Sequence, residues 1–395
     1  MKVKNMKKVA LITYPKIQDG KGRFLQAYAL YTAICELGYD VSLINYMPST
    51  FFRKPSYAKI LKKILVDPKS RAAYFQAGKN KAFVLLQKTS KNESAQKYSE
   101  FIRAQMGVNL AHMVSRKELD DLKKEYDVFV CGSDQIWNPY FSCGKDPVYF
   151  LQFAPQAKRI AYAASVGTAC VDEKELARMK SWIEQIPYRS VREASTQEQL
   201  LKKAGIEVEQ VMDPTFLMSR TWWLKLANER PRKKPYVLTF LFDNNPKPRK
   251  AAKEIAKKLN CEVVSIPETL EDLLWNAKKE TGIGPQEFVS LFRNAAYVCT
   301  QSFHGTVLSL IYNKPFLVFD RSEAGQVDGL ILRIENLLKT VGLESRIVRG
   351  NETFPEEEID FEKVNGILER KQESSRNFLK QSLEKVVNAN ETGKK

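Results

Sequence analysis

The chain has 395 residues, 44% of them hydrophobic, and a formal net charge of +17. This length predicts two or three domains with a core of ordinary size. No run of 18 apolar residues occurs, and the apolar run after the basic amino terminus is too short for a signal-peptide core, so we expect a cytoplasmic protein without a transmembrane helix.

Strand and helix patterns alternate along the chain, which favours parallel sheets with helices on both faces. In the first series, a predicted helix at 24–38 accompanies predicted strands at 8–14, 40–46, 126–132, 159–165, 188–193 and 208–214. In the second series, the predicted strands lie at 236–242, 261–267, 295–300 and 315–319. A charged linker with prolines separates the two series at 228–236, and a polar helix begins near residue 360.

This order predicts an α/β fold with two Rossmann-like domains. We place the N-terminal domain at 1–227, the C-terminal domain at 228–350 and a C-terminal helical extension at 351–395.

Residues 51–105 are predicted to form a basic helical insertion in the first domain. From Arg53 to Arg103, 13 Lys and Arg face 3 acidic residues, a net charge of +10. Apolar residues recur there at helical spacing, at Tyr57, Ile60, Leu61, Ile64 and Leu65. Such a helix suits an anionic membrane surface or an acidic ligand, but a packed surface helix with a solvated charged face is the commoner case. No nucleic-acid motif accompanies the charge, so a nucleic-acid partner is not expected.

Cysteine and histidine usage argues against a metal centre. The six cysteines have no C-x-x-C spacing, and the chain has only two histidines. The cysteines fit reduced, mostly buried residues of a cytosolic protein, and we predict neither a metal nor a cofactor.

Three segments fall where loops lead from strands into helices, the edge at which such folds bind ligands. The first, "DGKGRFLQ", has Gly20 and Gly22 but Leu25 where G-x-G-x-x-G needs glycine, so it does not support NAD binding. Its glycines suit either an anion cradle or a flexible turn.

The second segment is "VCGSDQIWNP" at 130–139. Asp134 could act as a general base or bind sugar hydroxyls, and Trp137 could stack on a sugar ring. Propensity alone favours the alternative of an Asp helix cap beside a core tryptophan.

The third segment, "SFHG", joins a buried strand to a short helix. Gly305 is predicted to open that helix, whose free N–H groups attract anions. His304, held at this turn, could meet a phosphate or carboxylate and transfer a proton, although histidine also serves as a packing residue.

These segments in this order resemble the polysaccharide pyruvyl transferase family over most of the chain. The similar stretches are "LQAYAL", "GSDQIWNP", "VYFLQFA", "IAYAASVG", "SVRE", "DPTFL", "SFHGTVLSLIYNKPF" and "LRIENLLKTVGLESR". The resemblance implies a GT-B-like fold, with two domains facing across a cleft. It also implies transfer of pyruvate from phosphoenolpyruvate to a sugar of a cell-surface polysaccharide or its precursor, as a cyclic ketal.

The resemblance assigns roles to particular residues. It puts the acceptor on the N-terminal domain, near Gln26, Gln135 and Trp137, and phosphoenolpyruvate on the C-terminal domain. Ser302 stands where many members have arginine, so we expect the donor to meet Arg192 and Arg333 together with Ser302 and Gly305.

The chemistry of phosphoenolpyruvate supports these roles, because its carboxylate and phosphate need arginine forks and helix N-termini. His304 is our candidate acid for its methylene carbon, and Asp134 is a candidate for acceptor binding or base catalysis. We expect a free or lipid-linked sugar acceptor, the latter with peripheral contact at the inner face of the plasma membrane.

Two other functions remain open. A glycosyltransferase using a nucleotide sugar could share the scaffold, although Asp320 and Glu323 lack the spacing of the paired carboxylates in retaining enzymes. The second alternative is a non-catalytic glycan-binding protein.

Overall fold

A computed structural model describes residues 6–48, 78–110, 112–168, 170–228, 232–321, 329–350, 354–355 and 357–392. Within these residues the chain forms two six-stranded parallel sheets with helices packed on their faces. The predicted α/β fold of two Rossmann-like units is therefore confirmed. We call the unit around the first sheet the first domain and the unit around the second sheet the second domain.

The first sheet has the strand order β2-β1-β3-β4-β5-β6. Its strands are β1 (Lys8–Ile12), β2 (Asp40–Leu43), β3 (Val128–Cys131), β4 (Arg159–Ala164), β5 (Tyr188–Val191) and β6 (Glu209–Gln210). Every residue of β3 and β4 is buried, which explains their unbroken runs of apolar residues, because a central parallel strand is covered on both faces.

The second sheet has the order β12-β11-β10-β7-β8-β9. Its strands are β7 (Tyr236–Phe240), β8 (Glu262–Ile266), β9 (Lys278–Lys279), β10 (Tyr297–Thr300), β11 (Phe316–Phe319) and β12 (Ile347–Val348). The sequence patterns missed the edge strands β9 and β12, since two residues are too few to show a period.

Helices connect most of these strands. They are α1 (Lys21–Glu36), α2 (Lys88–Met106), α3 (Arg116–Glu125), α4 (Glu173–Glu184), α5 (Ala194–Gln199), α6 (Arg220–Leu226), α7 (Pro246–Lys258), α8 (Leu270–Leu274), α9 (Pro285–Arg293), α10 (Phe303–Ile311), α11 (Gly329–Val341) and α12 (Phe361–Thr392). None of the described helices is long and apolar enough to cross a membrane.

The strand order reverses between β1 and β3 in the first sheet and between β7 and β10 in the second. Such switch points open a crevice beyond the carboxyl ends of the strands, where ligands bind in open α/β sheets. The loops after β3, β7 and β10 line one shared cleft between the two domains. The fold thus brings the second and third segments of the sequence analysis together.

The C-terminal helix α12 returns to the first domain. The backbone N–H of Met212 donates to Ser375 Oγ at 2.9 Å, and Arg376 Nη1 donates to the Leu217 carbonyl at 2.6 Å. Leu379 and Leu383 of this helix are buried. The predicted extension therefore completes the first domain, while the proposed boundaries at 227/228 and 350/351 stay predictions.

The basic helix predicted from Tyr57 to Leu65 lies outside the described residues. Of the basic insertion, the structure describes a helical segment at 78–86 and α2. In α2, Tyr98 is buried with its ring 5.1 Å from that of Phe24, and Lys97 Nζ donates to the Gly282 carbonyl at 2.8 Å. Helix α2 therefore packs between the two domains.

We expect Leu383→Ala to lower the free energy of unfolding by about 2–5 kcal/mol, because it opens a cavity under a fully buried leucine. Denaturant unfolding monitored by tryptophan fluorescence measures the change. Lys380→Ala, at an exposed position of the same helix, should stay within about 0.5 kcal/mol of the native chain. Equal losses in the two variants would contradict the docking of α12.

Candidate functional site

The interdomain cleft is open and has a volume of about 310 Å³, at the lower end of the range of small-molecule sites. Both domains supply its lining. The first domain contributes Asp19, Gly20, Lys21, Gly22, Arg23, Asp134 and Gln135; the second contributes Phe240, Phe242, Glu268, Gln301, Ser302, Phe303, His304, Arg321 and Arg333. Four of these side chains are Lys or Arg and three are acidic, and His304 adds a further cation when protonated, so the lining favours an anionic ligand.

Helix α10 positions His304 on its first turn. Ser302 is the N-cap residue, and its Oγ accepts from the Gly305 N–H at 3.2 Å, while its own N–H donates to Thr300 Oγ1 at 3.0 Å. Every residue of α10 is buried. His304 is therefore held at the cleft wall by a helix that has no room to shift.

Gly305 does not reach the cleft, which corrects its prediction as a donor-binding residue. Helix α10 begins at Phe303, and the N–H of Gly305 is already used by the cap. A Cβ at position 305 would lie 2.5 Å from Thr300 Oγ1. Glycine is therefore needed there for close packing against β10.

Arg192, predicted as a donor ligand, lies in a buried ion-pair cluster at the end of β5. Its Nη1 lies 2.5 Å from Asp213 Oδ2 and its Nε lies 2.9 Å from Glu193 Oε1. The Arg192 side chain is only 3% exposed. Burial alone would lower its pKa, but the surrounding carboxylates raise the pKa above the usual arginine value, so the guanidinium stays charged.

Asp134 joins this cluster to Arg333 of α11. Its Oδ1 lies 3.5 Å from Arg333 Nη1 and 3.9 Å from Arg192 Nη2. The ring of Phe303 lies against both guanidinium groups, with its centroid 4.6 Å from Arg192 Cζ and 5.8 Å from Arg333 Cζ. The two arginines, one from each domain, are thus fixed side by side by a carboxylate and an aromatic face.

Three buried nitrogens in this cluster have no hydrogen-bond partner among the described residues: Arg192 Nη2, Arg333 Nε and His304 Nε2. A buried donor without a partner costs about 1–3 kcal/mol. The two guanidinium donors, on neighbouring side chains, indicate a site arranged to receive acceptor atoms.

Burial also shifts the pKa values of two of the groups that lack a hydrogen-bond partner. It lowers the pKa of Arg333 to about 10, helped by the positive charge of Arg192 and opposed by Asp134. Burial lowers the pKa of His304 as well, although Asp213 and Asp134 act to raise it. An anion bound between these groups would favour their charged forms.

The N-terminus of α1 closes the cleft over His304. A Cβ at Gly22 would lie 2.2 Å from His304 Nδ1, so only glycine permits this approach. Lys21 pairs with Glu268 of the second domain, and Arg23 Cζ lies 4.6 Å from the centroid of the Tyr14 ring. The glycine loop is therefore part of the site, beside the imidazole.

Two residues predicted to bind the acceptor lie in the core instead. Trp137 is fully buried, stacked on Phe150 at 5.5 Å, so no ring face is open to a sugar. Gln26 is also fully buried, where its Nε2 donates to Thr13 Oγ1 at 2.8 Å and its Oε1 accepts from the Ser133 N–H at 3.1 Å. Of the three predicted residues, only Gln135 lines the cleft.

Several residues of the site had no role predicted from the sequence: Lys21, Arg23, Glu193, Asp213, Phe303 and Arg321. The two basic residues at the start of α1 stand directly beside the glycines of the first loop, which was the available signal. Asp213 lies in the strand predicted at 208–214 and in the stretch "DPTFL", which was the available signal for it, but β6 ends at Gln210. Among the described residues, no three His, Cys, Asp or Glu side chains are grouped so that they could hold a metal ion.

Comparison with known proteins gives one family and several distant structures. A family model described as polysaccharide pyruvyl transferase matches residues 21–323. No curated protein sequence matches the chain.

Among solved structures, UDP-N-acetylglucosamine 2-epimerase from Rickettsia bellii is 12% identical with a TM-score of 0.49, covering 97% of this chain and 96% of its own. The glycosyltransferase SnogD from Streptomyces nogalater is 12% identical with a TM-score of 0.45, covering 97% and 99%. UDP-GlcNAc 2-epimerase from Methanocaldococcus jannaschii is 13% identical with a TM-score of 0.46, covering 92% of each chain. The activities of proteins this distant do not transfer to this chain.

Replacement of glycine by alanine within a helix usually raises the free energy of unfolding. The contact of Gly22 with His304 predicts the opposite effect at position 22. We expect Gly22→Ala to lower the free energy of unfolding by about 1–3 kcal/mol, because its methyl group would overlap the imidazole. Gly366→Ala, whose Cβ would find its nearest neighbour 3.9 Å away within α12, should instead raise it by about 0.5–1 kcal/mol. Urea unfolding of both variants compares the signs, and stabilisation by both would rule out the contact.

Proposed function

The chain belongs to the polysaccharide pyruvyl transferase family, and we propose that it transfers pyruvate from phosphoenolpyruvate to a sugar of a cell-surface polysaccharide or its precursor. The product is a cyclic ketal joining C2 of the pyruvate to two sugar oxygens. The observation that carries this proposal is the pair of buried guanidinium groups, each with one unpartnered nitrogen among the described residues, beside a buried histidine.

The donor suits this cluster by charge and shape. Phosphoenolpyruvate carries a carboxylate and a phosphate ester on the same carbon, C2, and guanidinium groups bind both with charge-assisted hydrogen bonds. Arg333 Nε and Arg192 Nη2 have no hydrogen-bond partner among the described residues, while Asp134, Glu193 and Asp213 hold the two side chains in place. Charges fixed before the donor arrives need little reorganisation when it binds.

The reaction requires an acid that later acts as a base. His304 gives a proton to the methylene carbon, which becomes the methyl group, and C2 becomes electrophilic. The first sugar hydroxyl adds to C2 and returns its proton to His304. The bridging oxygen of the phosphate then takes that proton as phosphate leaves, and the proton of the second hydroxyl restores the imidazolium as the ketal closes.

Ser302 does not supply the cation that many relatives have at this position. Its hydroxyl caps α10, and positive charge in the cleft comes instead from Arg333, Arg321 and Arg23. These three side chains belong to separate elements of the two domains. We therefore expect the anionic groups of the donor to meet these cations.

The acceptor enters from the side of the first domain, where Asp134 and Gln135 reach the cleft. Carboxylate and amide groups suit sugar hydroxyls as hydrogen-bond partners. A lipid-linked acceptor would bring this face of the protein to the membrane surface.

A direct assay decides between this reaction and transfer from a nucleotide sugar. The chain is incubated with phosphoenolpyruvate and a panel of synthetic or lipid-linked galactosides, mannosides and N-acetylhexosaminides. Phosphate release together with an acceptor mass gain of one pyruvate less one water establishes the ketal. Glycosyl transfer from a UDP-sugar, without reaction of phosphoenolpyruvate, would replace the proposal by the glycosyltransferase alternative. Sugar binding without any transfer would favour a glycan-binding protein.

We expect Arg333→Ala to raise the apparent constant for phosphoenolpyruvate about 10- to 100-fold, because a hydrogen bond to a charged group is worth about 1.5–3 kcal/mol. The constant for the sugar should change much less. Steady-state kinetics with each substrate varied in turn separates the two effects. Arg370→Ala, on the exposed face of α12, is the control.

Arg192→Ala is a poorer test of donor binding than the sequence alone indicates. The substitution leaves Asp213 and Glu193 buried without their partner, which costs about 3–5 kcal/mol. A loss of activity in that variant would therefore reflect the fold as much as the donor.

We expect His304→Gln to bind phosphoenolpyruvate within a few-fold of the native affinity but to lose on the order of 10²- to 10⁴-fold in turnover, because glutamine cannot act as an acid. Isothermal calorimetry and single-turnover phosphate release measure the two quantities. His112→Gln, at a side chain that is 66% exposed, should turn over normally. Turnover within about tenfold of native in folded His304→Gln would exclude the acid role.

A further inference from the structure

We propose that Asp213 is a positioning residue for His304: its carboxylate holds the Nε2 proton of the imidazole across the domain boundary, so that Nδ1 faces the donor. This inference rests on the proposed function, because it specifies how the imidazole that acts as the acid of that reaction is oriented. It gives Asp213 a role that neither its sequence position nor the family comparison assigns.

Asp213 is oriented so that only one of its oxygens is available to the site. Its Oδ1 accepts from the Thr215 N–H at 2.9 Å and from Thr215 Oγ1 at 2.6 Å, which fixes the side chain against the turn that follows it. Its Oδ2 points the other way, 2.5 Å from Arg192 Nη1 and 3.8 Å from His304 Nε2. The side chain is fully buried, so water does not compete for that oxygen.

The distance to His304 suits a hydrogen bond that tightens when substrate binds. Catalytic hydrogen bonds are often long before the reactants are in place. Nε2 is buried and has no hydrogen-bond partner among the described residues, although a nitrogen in that setting needs one. Among the charged groups around the imidazole, Asp213 Oδ2 lies on the side of this nitrogen.

The other imidazole nitrogen lies at the cleft. Nδ1 approaches Gly22 so closely that a Cβ there would be 2.2 Å away, and Gly22 belongs to the cleft lining. The positive end of α1 disfavours a proton on Nδ1 until an anion binds beside it. Neutral His304 therefore carries its proton on Nε2, toward Asp213, and leaves the Nδ1 lone pair toward the donor.

The imidazole lies among more cations than carboxylates. The carboxylates that face it from the packed elements are Asp213 and Asp134, and the cations are Arg192, Arg333, and Lys21 and Arg23 at the start of α1. Because only two carboxylates oppose these cations, removal of one of them strongly disfavours the imidazolium. Loss of Asp213 leaves Arg192 and Arg333 to repel the imidazolium, and the pKa of His304 falls.

The two partners belong to different domains, since Asp213 follows β6 and His304 lies in the first turn of α10. The interaction between charges weakens with both distance and dielectric constant. The contact between Asp213 and His304 therefore depends on the domains being packed as they are in this structure. Nδ1 then gives and regains the protons of the transfer reaction, while the Nε2 proton stays on the Asp213 side throughout.

The experiment uses the fact that the chain has only two histidines. In the full-length chain labelled with ¹⁵N-histidine, the His112→Gln variant identifies the signals of His304. We expect neutral His304 in the native chain to be the Nε2-protonated tautomer. In Asp213→Asn the pKa of His304 should fall by about 1–3 units relative to the native chain, as expected for loss of an opposite charge this close. Asp172→Asn, at the exposed cap of α4, should leave the pKa unchanged.

Each outcome is decisive. An Nδ1-protonated tautomer in the native chain overturns the inference, and this measurement holds even if Asp213→Asn does not fold. An unchanged pKa of His304 in folded Asp213→Asn also overturns it. In kinetics, Asp213→Asn should lower kcat and shift its pH profile to lower pH, while KM for phosphoenolpyruvate changes only a few-fold. A chain that shows the NMR pairing but releases no phosphate supports the pairing and overturns the proposed reaction instead.

Discussion

The buried guanidinium of Arg192 is the group on which the arrangement of the site depends. It neutralises Glu193 and Asp213, lies near Asp134, and rests on the ring of Phe303 from the other domain. Buried carboxylates are tolerated only when paired, so each acidic side chain is fixed by its contact with this one cation. The orientation of Asp213 toward the imidazole follows from that constraint. Charge pairing in the first domain thereby fixes a carboxylate beside His304 of the second.

The sequence predicts most of the fold because the central strands are short, apolar and regularly spaced between helices. It also locates His304, since the end of a buried strand and the start of a helix are both visible in "AAYVCTQSFHG". It does not predict which polar residues meet. Asp213 and Arg192 are 21 residues apart and pair only because β5 and β6 are neighbours in the sheet. Trp137 and Gln26 were misplaced for the same reason: long-range packing decides whether a side chain in the loop after β3 or in α1 turns to the cleft or to the core.

Serine at position 302, where many members of the family have arginine, does not remove positive charge from the cleft as a whole. The hydroxyl group of Ser302 caps the N-terminus of α10. The cations of the cleft come instead from α11, from the loop after β11 and from α1. Anion binding depends on the summed field at a point more than on the origin of any one charge. The family match and the changed residue are therefore compatible, and the histidine marks the site better than any single arginine does.

Helix α12 has a consequence for how the protein is made. The ring of Phe378 lies 6.3 Å from that of Tyr162 on β4, and the apolar face beneath the helix belongs to strands synthesised more than 200 residues earlier. As the nascent chain leaves the ribosome, that face stays uncovered until α12 emerges. Domains usually fold in order from the amino terminus during translation, and exposed apolar strands promote aggregation. The first domain is thus completed only after the whole of the second domain has been synthesised.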